Sequence, residues 1–182
     1  MAIACAVAAA SLAAWCLLLL LRGGYWRVRP LLDVQPPPPR AQWPSVVAVI
    51  PARNEEAALE SVLPGVLSQD YPRPFGVTLV DDRSEDGTAA LARAIASRFG
   101  LSERLSIVRG QPLASGWVGK VWAMAQGVSR AEASSADYVW FTDADVAYDA
   151  GVLRTLVDKA EKERLDLVSL MVRLRVDTRW DC

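Results

Sequence analysis

Short apolar runs alternate with longer amphipathic stretches along most of this chain. Five short runs, rich in β-branched or aromatic side chains, predict strands. They are residues 45–50, 76–80, 105–108, 138–141 and 167–176. Four stretches with apolar side chains at helical spacing predict helices: residues 54–68, 88–99, 121–133 and 149–163. Because strand and helix alternate, we expect an α/β fold with a mainly parallel sheet and right-handed crossovers.

Polar side chains follow three of the predicted strands at the point where each strand ends. Residues 51–55 follow the first strand, Asp81 and Asp82 end the second, and Asp143 and Asp145 follow the fourth. The carboxyl ends of parallel strands lie at one edge of a sheet, which is where open α/β sheets bind ligands. We therefore expect these three clusters to lie close together around one ligand.

Asp143 and Asp145 are candidate metal ligands. They are separated by one residue, so on an extended backbone both side chains project to the same side. Two ionised carboxylates so close together repel each other unless a cation lies beside them. Oxygen ligands favour Mg²⁺ or Mn²⁺. The sequence thus predicts a divalent ion that holds a diphosphate. In the alternative interpretation Asp145 opens a turn and Asp143 caps a neighbouring group.

The other polar clusters suit both structural and binding roles. Asn54 is a good N-cap for the helix that follows it, and Ser84 or Asp86 for the next helix. Asp81 and Asp82 are not needed for that cap. A carboxylate at this position can accept the imide N–H of uracil or bind a ribose hydroxyl, or it can belong to a solvated loop.

Several other functional classes are not supported. The glycine-bearing loop at residues 110–120 lacks the spacing and the Ser or Thr of a P-loop, and no GxGxxG follows a strand. Lys120 either points at a phosphate from a helix start or is a solvated lysine. The chain has no histidine, which excludes Ser-His-Asp catalysis, and its net charge of −1 gives no nucleic-acid signature.

The domain is preceded by two segments of different composition. Residues 1–21 carry no charge and predict a transmembrane anchor. An uncleaved anchor is favoured over a signal peptide because no Lys or Arg precedes the apolar run. Residues 22–44 are basic and then proline-rich, which predicts a semi-rigid linker before the domain at residues 45–182. By the positive-inside tendency, the arginines after the span place the domain on the cytoplasmic side of the inner membrane: Arg22, Arg27, Arg29 and Arg40.

The motifs in combination resemble family 2 glycosyltransferases of the GT-A fold. They are VVAVIPARNEE at residues 46–56, LVDDRSEDGT at 79–88 and TDAD at 142–145. The similarity covers about residues 45–176. More narrowly, the chain resembles the bacterial hopene-associated glycosyltransferase group, through WPSVVAV at 43–49, GWVGKVWA at 116–123 and DLVSLMVRL at 166–174.

The resemblance implies a Rossmann-like GT-A sheet and inverting transfer of a sugar from a nucleotide-sugar, expected to be a UDP-sugar, to a lipid, hopanoid or other hydroxyl acceptor. Asp145 is the better candidate for the metal, with Asp143 beside it, and Asp82 is expected to bind uracil. The implied donor-binding residues are Pro51, Arg53, Glu55, Asp81, Asp82, Lys120 and Asp143. A full member continues further and carries a later acidic base and an acceptor-binding segment. We therefore expect an N-terminal, donor-binding fragment whose catalytic base lies beyond this chain.

Two other functions stay open. The chain can be a non-catalytic fragment that binds a nucleotide-sugar. It can also be a nucleotidyltransferase, although those enzymes normally have a glycine-rich loop after the first strand, and residues 51–54 contain no glycine.

Overall fold

The computed structural model describes residues 2–21 and 42–171, which belong to two compact units. In the first unit Ala2–Leu21 forms helix α1, and none of its residues is buried. At about 1.5 Å per residue, a helix of 20 residues is about 30 Å long. It is long and apolar enough to cross a membrane by length and composition, although a signal sequence passes the same test. Most of the predicted linker, residues 22–44, lies outside the described residues.

The second unit is built on a four-stranded parallel sheet with the order β3-β2-β1-β4. Its strands are β1 (Val46–Ala52), β2 (Gly76–Asp81), β3 (Leu105–Arg109) and β4 (Tyr138–Phe141). The intervening helices are α2 (Glu56–Leu67), α3 (Thr88–Arg98), α4 (Gly119–Ala133) and α5 (Val152–Glu163), with a 3-10 turn at Ser102–Arg104. The predicted parallel α/β arrangement is confirmed.

The side chains of β1 point alternately to the two faces of the sheet, and both faces are covered by helices. Val46, Ala48 and Ile50 belong to the main core, together with buried side chains of α2, α3 and α5. Val49 points to the other face and packs with Ala123 of α4. Successive side chains of a strand point to opposite faces, so an uninterrupted apolar run is what a strand buried on both sides requires.

Helix α4 lies unusually close to the sheet. A Cβ atom added at Gly127 would come within 2.3 Å of Val49 Cγ1. Any larger residue would therefore push the helix away from β1. This close approach holds the start of α4 beside the carboxyl ends of the strands, where its first residues reach the cleft described below.

The prediction of a fifth strand at residues 167–176 is wrong for the residues that the structure describes. Residues 167–171 form no strand, and Leu167 and Met171 are largely exposed. A strand is stabilised by a backbone ladder and by packing of its faces, and residues 167–171 form no such ladder within the described part of the chain. Residues 172–176 lie outside it.

Candidate functional site

A cleft of about 320 Å³ opens at the carboxyl edge of the sheet. It lies between β1 and β4, where the strand order changes direction, and this is the position at which doubly wound sheets bind ligands. The residues that line it are Pro51, Ala52, Arg53, Glu55, Asp82, Gly119, Lys120, Ala123, Asp143, Ala144 and Asp145. The three polar clusters that follow the strands thus meet at one edge, as expected.

All but one of the predicted site residues line this cleft. The exception is Asp81, whose Oδ1 accepts a hydrogen bond from the backbone N–H of Ser84 at 2.9 Å. Asp81 is the last residue of β2, so its side chain and that of Asp82 project in different directions. The structure therefore gives Asp81 a role in shaping the loop, and leaves Asp82 as the carboxylate of this loop that faces the cleft.

Asp82 is well enclosed, because its side chain is only 13% exposed. Its N–H donates to the Ala52 carbonyl at 2.8 Å, which continues the ladder between β1 and β2 by one step. A Cβ atom on Gly119 would lie 3.6 Å from Asp82 Oδ2. The carboxylate is thus held by the strand edge on one side and by the start of α4 on the other, in a position suited to binding a ligand N–H or hydroxyl group.

The loop after β3 approaches this carboxylate very closely through a glycine. Gly110 N–H donates to the Asp81 carbonyl at 2.7 Å. A Cβ atom at Gly110 would lie 3.0 Å from Asp82 Cα and 3.1 Å from the Asp81 carbonyl oxygen. Both neighbours are backbone atoms that cannot swing away, so a glycine is needed here. A glycine directly after a strand was the only sequence signal of this contact.

The loops after β1 and β2 cap each other's helices. Glu55 N–H donates to Thr88 Oγ1 at 3.0 Å, and Glu56 N–H donates to Asp86 Oδ2 at 3.2 Å. In return, Gly87 N–H donates to Glu56 Oε2 at 2.9 Å. Asp86 Oδ1 accepts from the Thr88 N–H at 3.0 Å and also from the Thr88 hydroxyl. The hydrogen bond from the Thr88 side chain is the main reason that the pKa of Asp86 lies below its usual value.

Asn54 is not the N-cap that its position in the sequence predicts. Helix α2 begins at Glu56, and Asn54 adopts a left-handed backbone with φ of 56°. Its Oδ1 accepts from Glu85 N–H at 2.8 Å, while its own N–H donates to Ser84 Oγ at 3.0 Å. Asparagine tolerates this backbone conformation better than most residues. Asn54 therefore joins the two loops and does not begin the helix.

On the other side of the cleft, the two candidate metal ligands lie in a turn after β4 and not on an extended strand. Ala144 between them is buried in the core, whereas Asp145 is exposed. Lys120 Nζ lies 2.7 Å from Asp143 Oδ1, and both side chains are about half-exposed. The lysine already supplies one positive charge where the sequence predicts a cation.

Tyr148 supports this turn, and sequence reasoning missed it. Thr142 Oγ1 donates to the Tyr148 hydroxyl oxygen at 2.9 Å, and the Tyr148 ring packs edge-on against Trp140 with centroids 5.0 Å apart. Burial raises the pKa of Tyr148, and the negative charges of Asp143 and Asp145 add to that shift. Nothing in the spacing of a single tyrosine distinguishes this contact from ordinary core packing.

The donor set fits a metal ion that is shared with a bound diphosphate. In the described part of the chain, no three His, Cys, Asp or Glu residues come together in a group that could hold a metal. Asp143 and Asp145 supply only carboxylate oxygens, and Mg²⁺ is commonly held by one or two carboxylates together with substrate phosphates. These two residues would hold the ion, with phosphate and water oxygens completing its coordination.

The fold and cleft define a class of protein, the nucleotide-sugar transferases with the GT-A fold. A structure of this class, a mannosyltransferase from Pyrobaculum calidifontis in complex with GDP-Man and Mn²⁺, matches with a TM-score of 0.63 and 30% identity. The match covers 87% of this chain and 43% of that one. Staphylococcus aureus TarS matches with a TM-score of 0.52 and 23% identity, over 66% of this chain and 20% of TarS. The latter similarity concerns the fold alone.

The sequence places the chain more narrowly. The model of the family described as "Glycosyl transferase family 2" matches residues 47–181, so the chain belongs to this family. The predicted family and GT-A fold are confirmed. The finer resemblance to the hopene-associated group stays a prediction.

Two curated relatives share the same region. The 4,4'-diaponeurosporenoate glycosyltransferase of Staphylococcus aureus is 33% identical over 105 residues, which are 57% of this chain and 24% of that protein. The beta-monoglucosyldiacylglycerol synthase of Synechocystis sp. is 31% identical over 116 residues, which are 63% of this chain and 22% of that protein. The chain thus spans about a quarter of the length of these relatives.

Proposed function

We propose that this chain is the donor-binding part of a membrane-anchored glycosyltransferase. The cleft binds a nucleotide-sugar together with Mg²⁺ or Mn²⁺, and the longer protein transfers the sugar to the hydroxyl group of a lipid. The observation that carries this proposal is the meeting of Asp82, Lys120, Asp143 and Asp145 in one cleft at the switch point of the sheet.

Each side of the cleft suits a different part of the donor. Asp82 is enclosed beside the ends of β1 and β2, so it suits the base or ribose, and Arg53 and Glu55 of the loop after β1 line the same cleft. Lys120 stands at the first turn of α4, where a helix N-terminus and an ammonium group both favour a phosphate. Asp143 and Asp145 suit the metal. When bound, the ion stabilises negative charge on the leaving diphosphate.

A UDP-sugar is the proposed donor. A carboxylate at Asp82 can accept the single imide N–H of uracil. The amide and amino N–H groups of guanine offer a carboxylate two donors, and the P. calidifontis relative was crystallised with GDP-Man. Comparing UDP with GDP is therefore part of the test below. No catalytic base is assigned among the described residues, and we expect it in a later part of the longer protein.

A lipid acceptor is supported by the names of both curated relatives, which refer to diaponeurosporenoate and to a glucosyldiacylglycerol. The apolar helix α1 supports placement at a membrane. The proposal that the domain lies on the cytoplasmic side of the inner membrane rests on the arginines that follow this helix in the sequence. A hopanoid acceptor is a narrower version of the same proposal and rests on the resemblance of residues 116–123 and 166–174.

The second candidate is a fragment that binds the donor without transfer. It is favoured by the short coverage of the relatives, because this chain matches only 43% of the mannosyltransferase that it resembles. Pyrophosphate release with a nucleoside triphosphate and a sugar phosphate would instead identify the third alternative, a nucleotidyltransferase.

The test is calorimetric titration of the full chain in detergent with UDP, GDP and UDP-sugars, with and without Mn²⁺. We expect binding that Mn²⁺ strengthens and that Asp145→Asn makes independent of the metal. Asp149→Asn is the matched control, because this exposed aspartate lies close in sequence but does not line the cleft. Unchanged metal dependence in Asp145→Asn, or no nucleotide binding by the unaltered chain, would contradict the proposal. A glycosylated lipid product, formed with release of the nucleoside diphosphate, separates transfer from binding alone.

A further inference from the structure

The loop between β3 and α4 and the first turn of α4 expose several large apolar side chains at the rim of the cleft. Their exposed fractions are 51% for Leu113, 42% for Trp117, 68% for Val118 and 48% for Val121. We call these four residues the apolar patch. Two of them, Val118 and Val121, directly flank Gly119 and Lys120, which line the cleft. Exposing this much apolar surface in so short a segment is unfavourable in water, which points to an interaction partner.

The loop is built to keep the apolar patch outside. Trp122 Nε1–H donates to the Pro112 carbonyl at 3.1 Å, and the Trp122 ring packs against Trp117 with centroids 5.2 Å apart. Gln111 N–H donates to Gln126 Oε1 at 2.8 Å, which fastens the start of the loop to the body of α4. The loop thus packs on Trp122, and the neighbouring apolar side chains face solvent.

The segment that carries the apolar patch contains positive charges only, and the acidic residues near it belong to other segments, as Asp143 does beside Lys120. From Leu105 to Ala131 the sequence contains no Asp or Glu, and its charged residues are Arg109, Lys120 and Arg130. Arg109 is exposed at the end of β3, just before the loop. Tryptophan is enriched at membrane–water interfaces, and basic residues beside an apolar surface are attracted to anionic lipids. Charge and aromatic content therefore both fit an anionic bilayer.

The same chain also carries a helix that suits this partner. Helix α1 has the length and composition of a membrane span, so a membrane-held chain keeps the domain at high local concentration near a lipid surface. We propose that the apolar patch inserts into the headgroup region of an anionic bilayer, with Arg109 against the lipid phosphates, so that the cleft opens at the membrane surface. The inference requires α1 to be in a membrane, but it does not require sugar transfer.

Such an arrangement would bring a lipid hydroxyl to the cleft without the lipid leaving the bilayer. The apolar patch adjoins Lys120, whose ammonium group is bonded to Asp143 at the candidate diphosphate end of the cleft. A headgroup lying beside the patch would therefore be near the reacting end of the donor.

The test places the photoreactive residue benzoylphenylalanine at Trp117 of the full chain, reconstituted in vesicles of phosphatidylcholine and phosphatidylglycerol. The matched control carries the same residue at Phe99, which is 47% exposed near the end of α3, compared with 42% for Trp117. Because α1 is the same in both proteins, it cannot cause a difference between them. We expect several-fold more lipid adduct at position 117.

Equal lipid labelling at the two positions would overturn the proposal, and so would adducts at 117 that join two protein chains, or two parts of one chain, without lipid. If the Trp117 variant does not fold, as judged by its thermal unfolding, position 118 serves in its place.

A second measurement tests the role of the positive charge of Arg109. Arg109→Gln should lower the adduct yield in vesicles with phosphatidylglycerol to the level seen with phosphatidylcholine alone, whereas Arg93→Gln on α3 should not. Equal yields from these two variants would overturn the role of Arg109.

Nucleotide binding, measured on the same preparations, keeps the two proposals separate. Lipid labelling at position 117 together with no binding of UDP or GDP would support the membrane surface and contradict the donor site. Metal-dependent nucleotide binding with equal lipid labelling at both positions would support the donor site and contradict the membrane surface.

Discussion

The two sides of the cleft are fastened to the domain in different ways. On the side of β1 and β2, two loops exchange backbone and side-chain hydrogen bonds, and Glu56 and Asp86 each bond across to the other loop. On the side of β4, the turn with Asp143 and Asp145 is held by Thr142, whose N–H donates to the Val49 carbonyl and whose hydroxyl donates to Tyr148, and by the half-exposed ion pair with Lys120. An exposed ion pair contributes little to stability.

This difference matches what each side is proposed to bind. A nucleoside presents fixed donors and acceptors, so a preorganised loop pair lowers the cost of binding it. A diphosphate with its metal brings new charges into the cleft, and the side chains that meet it must exchange partners. We therefore expect the β1–β2 side to affect the stability of the fold, and the β4 side to affect the metal dependence of binding.

The largest effect is expected from Gly110→Ala on the β1–β2 side. The new Cβ would lie 3.0 Å from Asp82 Cα, so the backbone must shift, at a cost of about 1–3 kcal/mol in the free energy of unfolding. Affinity for nucleotide should fall as well, because Asp82 moves. Chemical denaturation and calorimetry measure the two effects.

Gly76→Ala is the control for that change. Its added Cβ would make only an ordinary 3.8 Å contact with Val47 Cγ2. The variant should therefore change neither the free energy of unfolding nor the affinity for nucleotide appreciably. If both alanine variants behave alike, the close approach of the β3 loop does not hold Asp82 in place.

A smaller effect is expected from Asp86→Ala, which removes the acceptor for Glu56 N–H and for Thr88. Loss of a carboxylate that accepts from the first N–H groups of a helix lowers the free energy of unfolding. The pKa of Asp86 is lowered in the folded protein, so its charge stabilises the fold above the ordinary aspartate pKa, and this contribution is lost as the pH falls through the lower folded pKa. Denaturation of the unaltered chain and of Asp86→Asn should therefore differ at neutral pH and converge below about pH 4. A constant difference at every pH would contradict this role of the charge.

The smallest effect on stability is expected from Tyr148→Phe on the β4 side. It removes one hydrogen bond, worth about 0.5–1.5 kcal/mol, but it should reduce the gain in nucleotide affinity that Mn²⁺ brings. Since the pKa of Tyr148 is raised above 10.0, its protonated form is favoured in the fold, and this stabilisation fades as the pH rises through the folded pKa. Alkaline absorbance titration of the unaltered chain should show a tyrosine that titrates above pH 10.0, and the variant should lack it.

Tyr71→Phe provides the comparison for that variant. It also removes one hydrogen bond, from the Tyr71 hydroxyl to the Pro44 carbonyl at 2.7 Å, but at a position that does not line the cleft. Equal effects of the two variants on the metal-dependent gain would show that Tyr148 has no particular connection with the candidate metal ligands.

The sequence predicted the elements more successfully than their connections. The apolar runs at β1, β2 and β4 are local signals, and so is the gathering of carboxylates after them. Whether Asp81 or Asp82 faces the cleft depends on where β2 ends, which is a matter of a single residue. The left-handed backbone of Asn54 depends on Glu85 and Ser84 in another loop, and no local pattern contains that information.

The outer side of β4 has a practical consequence for anyone purifying this chain. In the described residues β4 pairs only with β1, so no described strand covers its other backbone edge. An open edge accepts an extended segment from a neighbouring molecule, and such self-association would depend on concentration. The apparent mass should therefore be measured across a dilution series before any affinity is interpreted, and mild denaturant or a short capping peptide would be a sensible additive during storage.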